Sequence, residues 1–290
     1  MTARQDSFNM HAAPMRVGHL RLRVRDLAAV SRFYQEVLGL TVLRDQDGRV
    51  VLGTAATPLL ELNGDPALRP RNPRDAGLFH MAFLLPGRAD LARWLAFASA
   101  EGVALQGASD HGVSEALYLA DPEGNGIEIY ADHPPSQWRD AGGAIHMTTE
   151  RLDIPALLAA TEGRRWSGFP EDGCIGHVHL QVGDEEQAER FYAGVLGLEP
   201  TTRMRGARFF SSGGYHHHVA ANVWNSRGAG QRPDGAAGLA AVEIIIDGPA
   251  RREAILARAA EAGLQVSRRG ETAVIPDPWG TCIELATPAA

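Results

Sequence analysis

Histidine and glutamate recur at matching positions of this chain, and both are side chains that bind metal ions. The chain has 11 histidines among 290 residues. His19 and His177 each follow a glycine at the start of an alternating apolar stretch, and Glu128 and Glu284 each lie seven residues after an aspartate. Two neutral imidazoles and one carboxylate form the facial triad of non-haem Fe(II) oxygenases, which leaves coordination positions open for reactants. The residue types therefore predict a metal centre.

These positions recur because they belong to an internal repeat. The segment GHLRLRVRDLAAVSRFYQEVLGL, which starts at Gly18, aligns without a gap with GHVHLQVGDEEQAERFYAGVLGL, which starts at Gly176. The Gly-His pair, the aliphatic alternation, the aspartate, Phe-Tyr and Val-Leu-Gly-Leu all coincide. Such self-similarity indicates that one structural unit is repeated along the chain.

A second pair of segments repeats in the same way. GLFHMAFLLPG from Gly77 matches GLAAVEIIIDG from Gly238, and DPEGNGIEIY from Asp121 matches DPWGTCIELA from Asp277. Four related modules are therefore predicted, over residues 14–68, 75–133, 173–228 and 237–287.

Each module is predicted to fold as one strand, one helix and two or three further short strands. The opening stretch alternates between apolar and other residues, which is typical of a strand. Asp26 and Asp184 are suited to cap the N-terminus of the following helix, and Gly39 and Gly197 are suited to end it. A βαβββ sheet of this size cannot close alone, so the modules must pair.

The predicted fold class is α+β, with four βαβββ modules paired into two half-barrel units. The modules divide the chain into a first domain over residues 14–133 and a second over 173–287. Residues 134–172 begin with two prolines, which break regular structure, and are predicted to form a partly ordered linker with one short helix within 152–162.

Bulk composition excludes several functional classes. The net charge of −7 argues against nucleic acid or an anionic membrane as the main partner. No apolar run approaches the roughly 20 residues of a membrane-spanning helix. The first 15 residues lack the apolar core of a signal peptide, and two cysteines make no disulfide framework. A cytoplasmic protein is expected.

The chain resembles the vicinal oxygen chelate superfamily, which is built from paired βαβββ modules and includes glyoxalases, bleomycin-resistance proteins and dioxygenases. Within it, the sequence is most similar to the catechol 2,3-dioxygenase-like extradiol enzymes. Three segments carry the resemblance: the Gly-His strands that open the repeats, Leu-Phe-His at 78–80, and YLADPEGNGIEIY at 118–130. The resemblance covers nearly the whole chain except the linker and the extreme N-terminus.

The resemblance implies a metal-ligand set. Metal ligands in the family come from the first strand of one module, the first strand of its partner, and a glutamate on the partner's last strand. His80 matches the partner strand, Glu128 matches the carboxylate, and either His19 or His177 completes the triad. Module four carries Ala241 where its histidine should be, so Glu284 cannot complete a site with module three. We favour His80, Glu128 and His177, in which modules two and three pair, because only module three also supplies a further histidine.

The same resemblance implies residues that contact substrate or transfer protons. Tyr118 and His111 match residues that contact substrate in the ring-cleaving enzymes. Tyr118 lies ten residues before Glu128, so both would face one side of a regular strand. The pattern His-x-aliphatic-Ala assigns the acid/base role to His217 within the run 216–218. The choice among these neighbours stays open, and His218 is the second candidate.

The resemblance implies an extradiol dioxygenase that uses Fe(II), or Mn(II) as a substitute, and O₂ to open the ring of a catechol or related aromatic diol. One alternative is a metal-dependent lyase or isomerase of the glyoxalase type. Another is a metal-free protein that sequesters small molecules, as in resistance proteins. Exposed sheet faces in such proteins often associate, which is compatible with a homo-oligomer.

Overall fold

The computed structural model describes residues 7–288, and within them the chain forms 17 strands and five α-helices. The helices are α1 (Leu27–Leu38), α2 (Arg88–Ala100), α3 (Ile154–Leu158), α4 (Glu185–Glu189) and α5 (Pro249–Glu261). The strands of the first half are β1 (Met15–Val24), β2 (Thr41–Gln46), β3 (Arg49–Gly53), β4 (Pro58–Gly64), β5 (Gly77–Leu84), β6 (Gly107–Asp110), β7 (Ser114–Ala120), β8 (Gly126–Asp132) and β9 (Glu150–Arg151). Those of the second half are β10 (Cys174–Gln181), β11 (Glu199–Met204), β12 (Ala207–Ser211), β13 (Val219–Asn222), β14 (Gly238–Ile246), β15 (Ser267–Arg269), β16 (Thr272–Pro276) and β17 (Cys282–Ala286).

The strands form two sheets, and each sheet contains two modules. The eight-stranded sheet has the order β15-β16-β17-β14-β1-β4-β3-β2, so it joins modules one and four. The nine-stranded sheet has the order β11-β12-β13-β10-β5-β8-β7-β6-β9, so it joins modules two and three. The α+β class and the two half-barrel-like sheets are confirmed. Residues 14–133 and 173–287 each contribute one module to each sheet.

The repeated helices begin and end as their sequences predict. Asp26 Oδ1 accepts a hydrogen bond from the Ala29 amide at 2.9 Å, and Asp184 Oδ1 accepts one from Gln187 at 2.6 Å. Gly39 follows α1 in the left-handed region with φ 73°, where glycine carries no steric penalty. Unlike α1, helix α4 gives way after five residues to a π-helical segment, Arg190–Val195.

The segment between the repeats is more ordered than a simple linker. It contains α3 and a short 3₁₀ turn, Ala159–Thr161, in place of one continuous helix. Strand β9 pairs with β6 at the edge of the nine-stranded sheet. Leu157 and Trp138 are buried, and the Trp138 ring packs against Tyr215 and His216 with ring centroids 5.4 and 5.1 Å apart. Within residues 7–288 no helix has the length and apolar character needed to cross a bilayer.

Candidate metal centre

Three neighbouring strands bring two histidines and a glutamate to one face of the nine-stranded sheet. Ala82 on β5 pairs with His177 on β10 at one side and with Glu128 on β8 at the other. His80 lies two residues before Ala82, and side chains two apart on a strand point to the same face. The three side chains therefore converge because of strand register.

The converging atoms have the spacing of metal ligands. Glu128 Oε2 lies 2.9 Å from His80 Nε2 and 3.4 Å from His177 Nε2. His80 Nε2 is buried and has no partner in hydrogen-bonding geometry. Neighbouring ligands of a metal with bonds of about 2.1 Å would lie about 3 Å apart, so the spacing fits a bound ion. Among residues 7–288, these three form the group whose side chains are close enough to hold a metal together.

The charge state of the cluster also suits a metal. Burial alone would raise the pKa of Glu128, but the adjacent His177 and His80 hold it well below its usual value. Burial lowers the pKa of His177, against the opposing effect of Glu128. An ionised carboxylate and a neutral imidazole are the protonation states that ligate metal ions.

A cavity of about 330 Å³ opens in front of the cluster. Such a volume is at the lower end of small-molecule sites, which are mostly apolar with a few placed polar groups. His80, Glu128 and His177 lie on its wall. Besides the histidines, the aromatic and thioether side chains that line it are Phe79, Tyr118, Phe209, Trp224, Met147 and Met204.

Tyr118 and His111 lie beside the cluster and bond to each other. The His111 ring bonds through Nδ1 to the Thr148 carbonyl at 2.8 Å and through Nε2 to the Tyr118 hydroxyl at 2.7 Å. A carbonyl only accepts, so His111 Nδ1 carries the proton and Nε2 accepts from Tyr118. The prediction that one strand carries Tyr118 and Glu128 is wrong, since they lie on β7 and β8. They share a face because they are direct cross-strand partners.

The structure separates the two histidines that were candidates for the acid/base role. His217 lines the cavity, and its ring centroid lies 4.1 Å from that of His177. His218 instead accepts a hydrogen bond from the Ser212 amide at 3.3 Å and lies outside the cavity lining. Simple alternation does not apply to these residues because strand β13 begins only at Val219.

His19 lies on the other sheet and is separated from His80 and Glu128. Its Nδ1 is 3.1 Å from Glu243 Oε2, on β14. The alternative triad that contains His19 is therefore not assembled. The pairing of modules two and three, which we favoured from the sequence, is the one that forms.

Two features of the cavity were missed from the sequence. His179 is buried on its wall, and its Nε2 accepts a hydrogen bond from Asn222 Nδ2 at 2.9 Å. The signal was available, since His-x-His in GHVHL puts His177 and His179 on one face of a strand. The second feature is the segment 147–149, which was assigned to the linker and forms part of the wall. No local pattern marks that contact.

Comparisons with known proteins identify the relatives of this chain. The family model of the Glyoxalase/Bleomycin resistance protein/Dioxygenase superfamily matches residues 16–129 and 174–285. Catechol-2,3-dioxygenase of Bacillus subtilis is 38% identical over 268 residues, which cover 90% of this chain and 93% of that protein. Biphenyl-2,3-diol 1,2-dioxygenase 3 of Rhodococcus globerulus is 31% identical over 163 residues, or 54% of this chain and 85% of that protein.

Solved structures share the fold at lower identity. A putative dioxygenase from Bacillus subtilis superposes with a TM-score of 0.65 at 14% identity, covering 96% of this chain and 86% of that one. Glyoxalase I from Zea mays superposes with a TM-score of 0.58 at 18% identity, covering 94% and 92%. These two likenesses concern the fold alone.

Proposed function

Because the chain belongs to the glyoxalase/bleomycin resistance protein/dioxygenase superfamily, we propose that it is an extradiol dioxygenase that opens the ring of a catechol or related aromatic diol. The observation that carries this proposal is the His80–Glu128–His177 cluster at the wall of a largely apolar cavity. The 38% identity to a catechol-2,3-dioxygenase over 90% of the chain supports the same reaction class.

His80, Glu128 and His177 would hold the metal, which we propose to be Fe(II), with Mn(II) as a substitute. Nitrogen and carboxylate ligands in a facial set suit both ions. When bound, the ion would hold the diol oxygens and O₂ side by side and allow electron density to pass between them.

His217 is the proposed acid/base. Burial lowers its pKa well below the usual value, and the adjacent His177 lowers it further, so the ring is neutral near pH 7. Its Nδ1 is hydrogen-bonded to His216, and Nε2 is therefore the atom that can accept a proton from a substrate hydroxyl. A base held in place at the reacting oxygen contributes through general base catalysis.

Tyr118 and His111 are proposed to orient the other side of the substrate. Because the Tyr118 proton points to His111 Nε2, the lone pairs of the Tyr118 oxygen are free to accept a hydrogen bond from a diol hydroxyl. Burial and the charge of Glu128 raise the pKa of Tyr118 well above its usual value, which keeps the hydroxyl protonated. His111 is in turn held by the Thr148 carbonyl.

The aromatic wall is proposed to bind the ring itself. Phe79 and Trp224 meet edge to face with ring centroids 5.4 Å apart, and the Phe209 ring meets the His179 ring with centroids 5.9 Å apart. Flat apolar surfaces of this kind pack against an aromatic substrate and exclude water from the reacting oxygens.

The proposal is tested with protein purified without oxygen and reconstituted with Fe(II) or Mn(II). Oxygen uptake is measured with catechol, with 2,3-dihydroxybiphenyl and with hydroquinone, and the product is analysed after reaction in ¹⁸O₂. We expect one O₂ consumed per ring opened, with both labelled atoms in the product. Glu128→Gln is the matched variant, because it keeps the side-chain shape and removes the charged ligand.

The contrary outcomes point to different functions. Bound metal without oxygen uptake on any diol, together with turnover of a glutathione hemithioacetal, would replace the proposal with a glyoxalase-type activity. Tight binding of aromatic ligands without any metal requirement would replace it with sequestration.

A further inference from the structure

A continuous hydrogen-bonded chain leads from His217 away from the cavity. His217 Nδ1 and His216 Nδ1 are 2.8 Å apart, and His216 Nε2 lies 2.8 Å from Asp132 Oδ1. The Tyr215 hydroxyl donates to the same Asp132 oxygen at 3.2 Å and lies 2.7 Å from the Tyr130 hydroxyl. The proposed function above uses only the cavity end of this chain.

The acceptor at Asp132 sets the direction of the hydrogen bonds through a His216 ring that carries one proton. Asp132 Oδ1 accepts the hydrogen bond of the Tyr215 hydroxyl and acts as an acceptor toward His216 as well, so His216 carries a proton on Nε2. When His216 carries only this proton, its Nδ1 is the acceptor in the 2.8 Å contact with His217 Nδ1, and His217 carries its proton on Nδ1. His217 Nε2 is left as the unprotonated nitrogen, and it makes no hydrogen bond within residues 7–288.

We propose that Asp132 and His216 are positioning residues that hold His217 in the tautomer with a basic Nε2 facing the cavity. This inference rests on the proposed acid/base role of His217. A carboxylate that sets the tautomer of a histidine base is well known from hydrolytic triads. Here the same effect is transmitted through a second histidine.

Packing around the chain leaves it little freedom to rearrange. His216 is fully buried. Its ring centroid lies 3.9 Å from that of Tyr215 and 5.1 Å from that of Trp138. On the far side, a Cβ at position 176 would collide with the Tyr130 hydroxyl, so Gly176 is required for the chain to close. This gives the glycine of the Gly-His motif a role in module three.

The tautomer can be read directly in the wild-type protein. The full chain, labelled with ¹⁵N-histidine and loaded with diamagnetic Zn(II), is studied by long-range ¹H–¹⁵N correlation NMR. His217→Gln and His216→Phe identify the two sets of signals. We expect protonated Nδ1 and unprotonated Nε2 for His217, and the reverse for His216. A His217 ring protonated on Nε2 alone would overturn the proposal.

Kinetics test whether the tautomer matters for turnover. Asp132→Leu removes both acceptor oxygens, and His216→Phe keeps the aromatic packing while it removes both nitrogens. We expect each variant to lose on the order of 10²-fold in kcat, with KM and bound iron nearly unchanged. The matched control is Tyr215→Phe, which also removes a hydrogen bond to Asp132 but leaves the histidine pair intact, and it should retain most of kcat.

The results separate this inference from the proposed function. If the wild-type tautomers are as expected but the protein consumes no oxygen with any diol, the proposed function is wrong and the inferred tautomers remain supported. If the enzyme turns over and the Asp132 and His216 variants keep their kcat within a few-fold of wild type, the positioning role is wrong. A parallel loss in Tyr215→Phe would also contradict it, since the loss would then not follow the histidine pair.

Discussion

The two sheets present equivalent positions with different chemistry. His179 pairs with His80 across β10 and β5, and Arg21 pairs with Ala241 across β1 and β14 in the same way. In the eight-stranded sheet, Glu284 occupies the position of Glu128. It receives two hydrogen bonds from Arg21, at 2.7 and 3.2 Å, and a cavity of about 610 Å³ opens there.

The comparison shows two ways to satisfy the same buried carboxylate. In one sheet Glu284 faces a guanidinium, which is covalently part of the protein and always charged. In the other, Glu128 faces imidazole nitrogens, and the proposed cation is exchangeable. Because Ala241 stands in place of a histidine ligand, the eight-stranded sheet can stabilise its carboxylate but offers no comparable set of metal ligands. Equivalent positions therefore hold three candidate metal ligands in one sheet and an ion pair in the other.

The largest expected effect is a difference between His177 and His19, the histidines on the first strands of modules three and one. His177→Ala should lose bound metal. Removing only the hydrogen-bond partner of a metal ligand can lower activity about 100-fold, and removing the ligand itself should lower it further. His19→Ala should retain both, because His19 bonds to Glu243 in the other sheet. Metal content per chain and oxygen uptake measure the effect, with thermal unfolding as a control for folding. Metal loss in His19→Ala would contradict the assignment.

The next effect concerns stability in the eight-stranded sheet. Glu284→Gln leaves the buried Arg21 guanidinium with only Glu61 as a carboxylate partner. Loss of one partner from a buried ion pair costs about 3 kcal/mol of unfolding free energy, and metal binding should be unchanged. Urea unfolding measures the cost. The double variant Arg21→Met/Glu284→Leu removes both charges and should recover much of the loss, and a fully additive loss would contradict the ion-pair explanation.

The two sheets should also respond to pH with opposite signs. Burial lowers the pKa of His218 to about 3, whereas an unfolded histidine titrates near 6.5. The neutral, buried His218 therefore costs the fold no stability through protonation above about pH 6.5. As the pH falls, the unfolded chain binds a proton that the folded protein does not, and the free energy of unfolding drops by about 2 kcal/mol at about pH 5. His218→Gln should remove this part of the slope when unfolding free energies near pH 7 and pH 5 are compared. An unchanged slope would show that His218 is protonated in the folded state.

The smallest effect comes from His19. Burial lowers its pKa, but the hydrogen bond and charge of Glu243 raise it above the usual value overall. The ion pair therefore contributes its full stability below the pKa that His19 has in the unfolded chain. That contribution is lost as the pH rises through the higher pKa of His19 in the folded protein. Both side chains are about one-fifth exposed, so His19→Gln should cost at most about 1 kcal/mol at about pH 6. Equal destabilisation at about pH 9 would exclude the ion pair as the cause.

Much of the fold could be predicted because its signals are local. Asp26 and Asp184 cap helices through bonds that span three residues, and Gly39 relieves strain at a single position. Strand alternation has a period of two, so neighbouring positions sort onto opposite faces without knowledge of the partner strand. His179 could have been found by the same rule.

Other parts of the site depend on contacts between distant residues. Tyr118 faces Glu128 because two strands pair across a turn, and His217 lines the cavity because a turn before β13 directs it there. The contact of Thr148 with His111 joins the linker to the site, over a separation that no periodic pattern spans.

The sequence by itself determined the four modules and their internal order, because repeats and strand alternation are written in neighbouring residues. Its resemblance to a known superfamily implied His80 and Glu128 as candidate ligands, with either His19 or His177 as the third. Only the tertiary structure decided that module one joins module four while modules two and three share a sheet. Several apolar strand edges of related sequence could pair with one another, and packing over the whole chain decides which of them do. That choice separates His19 from the cluster and completes a candidate metal centre from the middle of the chain.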